Sequence, residues 1–315
     1  MATTTATADQ AVHLPGAEGQ DRRSREGWLR RIPLMPALLF TIAVTQIPFL
    51  LTLYYSLQSW NIAKPGSPHW VGLRNYGDVF SDPVFYGALL HTIEITFGSV
   101  LIATLLGLGL ALLLDRKFLG RGLVRTLLIS PFLIMPAAAA LLWKTTMLDP
   151  VYGIVNWVIG WFGAAPVDFV SKHPMGSIIA TVVWQWTPFE MLILLAGLQG
   201  QPGDVLEAAR VDGASAWATF REITLPHLRS YLELGVLLGA IYVVNTFDTI
   251  YMITQGGPGT ATTNLPFYIY QRAFEGFDIG QAAALGVVTV VGTIIVATIA
   301  LRTMFRLFIE NEARA

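Results

Sequence analysis

The sequence predicts an all-α integral membrane protein with six transmembrane helices, on three observations. The chain is 54% hydrophobic and 13% charged, against about 25% charged in an average soluble domain. Charge is also absent from long tracts: no Asp, Glu, Lys or Arg occurs from Ile32 to Ala63, Ile95 to Leu114, Thr126 to Trp143, His173 to Phe189 or Ile279 to Leu301. A helix of about 20 mainly apolar residues crosses the hydrocarbon of a bilayer. Finally, the basic residues gather in alternate connecting segments, as a serpentine path through a membrane requires.

Taken in order, residues 1–30 are rich in Thr and Ala without an apolar period and are expected to be a disordered tail. The six-helix domain is expected over 31–310. Its first span, 34–57, is too long for a signal-peptide core and is followed by no small-residue cleavage pattern, so it is expected to be retained. A long outer loop, 58–87, follows, with Trp60, Trp70 and Tyr76 suited to the headgroup zone. Spans two and three are expected at 88–114 and 123–147. Val151–Phe162 is short and apolar, with Trp157 and Trp161 one turn apart, and is expected to lie along the membrane interface. Span four, 176–198, carries Pro188, which kinks a helix and frees a carbonyl. A polar loop at 202–226 precedes spans five (231–254) and six (281–308), and 311–315 form the other terminus.

With six spans both termini share a side. That side holds Arg22, Arg23, Arg25, Arg30, Arg31, Arg116, Lys117, Arg121, Arg125, Arg210, Arg221, Arg229, Arg302, Arg306 and Arg314, against only Lys64, Arg74, Lys144, Lys172 and Arg272 opposite. Because basic residues stay inside, both termini and the loop 202–226 are expected in the cytoplasm. The net charge of −1 and the zero cysteines give no case for nucleic acid and exclude thiol catalysis and disulfides. Neither H-E-x-x-H nor G-x-S-x-G occurs. The one Lys followed by Ser or Thr, Lys144, has Trp143 where a phosphate loop needs Gly. The chain is expected not to be an enzyme.

Local chemistry predicts a helix–turn–helix in 202–226. Pro202-Gly203 ends the preceding span. Asp204 is expected to cap the next helix, with Glu207 as its capping-box partner. Gly213 permits a positive φ at the break. A second short helix is expected from about Ser215, ending before Leu225-Pro226 because proline restricts the residue before it.

The register Glu207-Ala208-Ala209, three residues, Gly213, nine residues, Ile223-x-Leu225-Pro226 resembles the "EAA" loop of importer-type ABC permeases. Trp184-Gln-Trp-Thr-Pro-Phe189 with Leu195-Ala-Gly-Leu-Gln199 is similar to span four of the carbohydrate importers. Phe247-Asp-Thr-Ile-Tyr251 with Thr254-Gln-Gly-Gly-Pro258 is similar to span five and the turn after it, and Gly72-Leu-Arg-Asn-Tyr76 to the first outer loop. The similarity covers about residues 30–310 and is greatest to the maltose-permease-like branch, with 254–280 resembling polyol (sorbitol and mannitol type) importers. The resemblance implies a type I ABC importer permease fold in the bacterial plasma membrane. It further implies a binding-protein-dependent sugar or polyol importer in which Glu207, Ala208, Ala209, Asp212, Gly213, Ile223, Leu225 and Pro226 form the ATPase-coupling surface. The implied partners are a second permease subunit, two ATPase subunits and an extracytoplasmic solute-binding protein. ATP and Mg²⁺ would sit on the ATPase, with no cofactor on this chain.

Polar groups inside a membrane usually face the bundle interior. A polyhydroxylated solute needs hydrogen-bonding side chains beside aromatic platforms. Trp184, Gln185, Trp186 and Glu190 of span four, and Tyr242, Asn245, Asp248 and Tyr251 of span five, are therefore substrate-pathway candidates. Asn245 and Asp248 are expected on one helix face. The same polar groups would equally serve to pin helix to helix. Glu190 departs from the resemblance, which leads to an apolar residue there, and is expected to meet the partner permease, the solute or His91. A secondary transporter driven by an ion gradient, with Glu94, Glu190 and Asp248 as proton carriers, is the alternative.

Overall fold

The computed structural model describes residues 32–66 and 68–312. The expected disordered tail, the basic residues Arg22–Arg31 and the last three residues lie outside them. Two compact units divide the chain at Thr52/Leu53.

The first unit holds most of helix α1 (Met35–Ser56), which contains Pro48. Thr41, Thr45 and Thr52 return their hydroxyls to carbonyls one turn back at 2.9, 2.7 and 3.0 Å, so these three hydroxyls are satisfied within the helix. In the second unit a short antiparallel pair, β1 (Gln58–Ser59) and β2 (His69–Trp70), precedes α2 (Arg74–Ser81). The segment expected as a loop is thus ordered. Asn75 holds it, its amide donating to the carbonyls of Ser56 and Gln58 at 2.8 and 2.7 Å.

The long α3 (Pro83–Asp115) is capped by Asp82, whose carboxylate accepts from Val84 N at 2.9 Å. Next come α4 (Arg121–Leu133), α5 (Pro136–Leu142, continued by a wider π-type turn through Met147), α6 (Ile154–Gly160) and α7 (Phe169–Lys172). They lead to α8 (Pro174–Gln199), then α9 (Gly203–Val211) and α10 (Ala216–Thr219) in the polar loop. A second π-type turn, Phe220–Thr224, feeds α11 (Leu225–Val243), followed by α12 (Asp248–Ile253), α13 (Leu265–Tyr270) and α14 (Ile279–Glu312).

Among the described residues four helices are long and apolar enough to cross a membrane: α1, α3, α8 and Ile279–Thr298 of α14. A fifth span results if α4 and the α5 helix through Met147, bent by 101°, are counted together. The third span is therefore broken where a straight helix was expected. Pro136 causes this: Met135 before it takes φ −56°, ψ 133°, because proline excludes helical geometry at the preceding residue. The fifth expected span is also interrupted, ending at Val243 and restarting at Asp248.

The core is strung along α3, which packs lengthwise on α8 and also on α11. One cluster joins Phe85 and Ala88 to Leu265, Tyr268 and Leu285. A middle one joins Ile95 and Val100 to Ile178, Val182, Val243 and Phe267. The third joins Ala111 and Leu114 to Met191, Leu194, Leu198 and Leu228, at the end where the polar loop leaves. In lipid such contacts stabilise through close packing rather than escape from water.

Candidate functional site

The loop 202–226 forms an exposed elbow. α9 ends in a Schellman turn: Ala214 N donates to Ala209 O at 2.9 Å and Gly213 N to Arg210 O at 3.1 Å, with Gly213 at φ +78°. A left-handed residue at that point closes the last orphan carbonyls, and glycine takes it without steric cost. Ser215 caps the second arm, its Oγ accepting from Ala218 N at 3.2 Å. Two expectations fail. Asp204 lies inside the first turn of α9, Pro202 is the cap residue, and no side-chain cap bond forms, so the capping box is not built. Nor does the second arm stop before Leu225-Pro226. Leu225 is helical (φ −65°, ψ −42°), and its N–H bonds the Phe220 carbonyl five residues back. That wider turn lets the helix accept a proline, which has no N–H and crowds the preceding turn.

Glu207, Ala208, Asp212, Gly213 and Pro226 are exposed, Ile223 and Leu225 half-buried, and Ala209 buried against its own chain. Beside them the apolar side chains of Val205, Val211 and Trp217 also lie open, Val211 at 87% and Trp217 at 69% of full exposure.

The substrate-pathway candidates divide. Trp186 stacks on Tyr242 (centroids 5.4 Å, 26°) and meets Phe189 and Phe132 edge-on at 5.5 and 5.6 Å. Exposed Asn245 follows on the same strand of chain, its amide donating to Ile241 O at 2.9 Å. Tyr251 belongs to a second aromatic group with Phe247, Phe267 and Tyr270. Trp184 packs on Trp143 at 5.9 Å. Gln185 is buried, and its amide donates to Ile134 O at 2.9 Å, a carbonyl left free by the break in the third span. Asn245 and Asp248 do not share a helix face, because the helix has ended between them. Glu190 is 1% exposed, enclosed by its own chain among Gly107, Gly235 and Gly239. It touches neither the surface nor His91, whose Nδ1 pairs with Thr263 O at 3.0 Å.

Sequence reasoning missed the residues that hold the breaks. Asn264 donates to Thr246 O at 2.6 Å and accepts from Phe267 N at 3.0 Å, so one side chain closes the fifth break and caps α13. Lys144 donates to Met252 O at 3.0 Å, placing a cation at the C-terminal end of α12, where the helix dipole favours it. Asn264 one residue before Leu265-Pro266 was a legible capping signal; nothing in the sequence pairs Lys144 with Met252.

The family described as "Binding-protein-dependent transport system inner membrane component" matches residues 103–308. A trehalose/maltose transport system permease protein, MalF, of Thermococcus litoralis is 36% identical over 273 residues, 86% of this chain and 90% of that one. A probable ABC transporter permease protein, y4oQ, of Sinorhizobium fredii is 38% identical over 274 residues, covering 86% and 88%. Among solved structures, a bacterial ABC transporter that imports the acidic polysaccharide alginate superposes with a TM-score of 0.77 at 22% identity, over 90% of this chain and 98% of that one. That likeness shows the fold, an ABC importer permease. With helices fit to span a bilayer, an exposed elbow between α8 and α11, and these relatives, the chain belongs to the inner membrane components of binding-protein-dependent transport systems.

Proposed function

We propose that this chain is the permease subunit of an ATP-driven importer of a sugar or polyol. The observation that carries the reading is the elbow at Glu207–Gly213: polar, glycine-hinged, and edged by uncovered Val205, Val211 and Trp217. In this reading two ATPase subunits, holding ATP and Mg²⁺, dock on the elbow of this chain and on that of a second permease. Closure of the ATPases drives the elbows together and turns the paired permeases from inward- to outward-facing. A loaded binding protein then delivers solute on the far side of the bacterial inner membrane, with both termini of this chain in the cytoplasm. The relatives named for trehalose, maltose and sulfoquinovosyl glycerol transport support a carbohydrate solute. The platform of Trp186 and Tyr242 beside exposed Asn245 suits one, because sugar C–H faces stack on aromatic rings while amides bind hydroxyls.

The experiment is ATP hydrolysis by the assembled complex in lipid, with binding protein loaded with trehalose, maltose, sorbitol or mannitol. Stimulation by one of them is expected and names the solute. An intact complex that none stimulates removes the carbohydrate assignment.

A further inference from the structure

Glu190 is a carboxyl enclosed in a helix crossing that the transport reading does not use. It sits on α8, the helix that leads into the elbow, and faces α11, the helix that leads out. Gly235 and Gly239 lie one turn apart on the face of α11 that meets it. A Cβ added at Gly239 would stand 2.8 Å from Oε1, and one at Gly235 would collide with Oε2. From the other side, a Cβ at Gly107 of α3 would stand 2.8 Å from the Glu190 Cβ and 2.8 Å from Met191 N. The carboxyl thus fills a trough on α11 that only glycine leaves open. The hydroxyl of Thr104 is the polar neighbour of the carboxyl, and Oε2 makes no well-formed hydrogen bond. Burying a polar group without partners costs free energy, whereas an apolar side chain of similar length would fill the trough without that cost.

We propose that Glu190 is a positioning residue that keys α8 to α11, so that both arms of the elbow move as one body. The proposal rests on the permease reading. A side chain seated between two glycines one turn apart resists sliding of one helix along the other, because each neighbouring position on α11 presents a side chain instead of a gap. Displacement of the elbow is then carried into both flanking helices together rather than absorbed between them.

Two readouts on the same variants test this: thermal unfolding of the purified permease, and the ratio of binding-protein-stimulated to basal ATP hydrolysis in the complex in lipid, probed with trehalose- and maltose-loaded binding protein. Gly239→Ala is expected to lower the unfolding temperature, and Glu190→Ala in the same chain to restore it. Gly107→Ala is not rescued by Glu190→Ala, because its clash is with the retained Cβ and with the Met191 backbone. Glu190→Ala alone, and the rescued double variant, are expected to lose about tenfold in the stimulated-to-basal ratio, equivalent to about 1.4 kcal/mol of coupling, while isosteric Glu190→Gln keeps most of it. Failure of the thermal rescue overturns the keyed contact. A Glu190→Ala complex with the parental ratio overturns the coupling role and leaves only packing. A parent complex that neither loaded protein stimulates leaves the solute to be found among the other sugars and polyols, and the thermal comparison still decides the contact.

Discussion

At the scale of the residue, the polar contacts with the greatest reach join segments far apart in sequence. Asp82, just before α3, takes hydrogen bonds from Tyr268 and Arg272, and Arg272 also lies over the Tyr268 ring at 5.0 Å. Burial, the largest influence, pushes the Asp82 carboxyl up, but the bonds from Tyr268 and Val84 N and the Arg272 charge together hold it below the usual 3.8. A depressed folded-state value means that the unfolded chain takes up the proton first. The contribution of Asp82 is therefore complete above the unfolded value and is lost as pH falls through the folded one. Asp82→Asn is expected to cost about 1–3 kcal/mol near neutrality and to flatten the drop in unfolding temperature between about pH 5 and pH 3, measured on detergent-solubilised protein. An unchanged acid profile removes Asp82 as its source. Gln185 makes a second long-range contact, with the free carbonyl of Ile134. Gln185→Leu leaves that acceptor unpaired and is expected to destabilise by about 1–3 kcal/mol, whereas loss of transport at full thermal stability would assign the amide to the solute instead.

At the scale of the element, the elbow shows how far local sequence reaches. Gly213 and Ser215 act as their chemistry predicts, one as the left-handed hinge and the other as the cap. Any other L-residue at φ +78° is strained by about 1–2 kcal/mol, Asn least. Gly213→Val is expected to abolish stimulated ATP hydrolysis while the membrane helices unfold at the parental temperature, with Gly213→Asn between the two. Normal stimulation in Gly213→Val would separate the elbow from coupling. The misread features here are as instructive. Asp204 precedes a glutamate at capping-box spacing, yet the chain enters α9 two residues too early for it to cap. Pro226 reads as a stop, yet a wider turn before it carries the helix on. The break in the third span was legible at Met135-Pro136 and is masked by the apolar run around it, since apolar composition reports burial and not straightness.

For the whole molecule, the prediction concerns sidedness. The chain contains no cysteine, so a single introduced one reports its own side. Ser215→Cys on the elbow is expected to react with a membrane-impermeant maleimide only after the membrane is opened, and Tyr152→Cys, exposed before α6, to react in intact cells. The reverse pattern would invert the orientation read from basic residues. The sequence by itself determined a helical membrane protein, the place and hinge of its elbow, and its family resemblance. These follow from apolar runs, charge placement and short-range turn chemistry, which act within a few residues and are written contiguously. Only the tertiary structure decided where the fifth span breaks, because Asn264 supplies the missing partner to Thr246 from a different segment. It likewise decided that Gln185 meets Ile134, and that Glu190 lies enclosed between α8 and α11 with Gly107, Gly235 and Gly239 around it. A polar side chain in a membrane must be satisfied or enclosed by whatever the fold brings beside it. That neighbour is set by how helices cross, which no local stretch of sequence encodes.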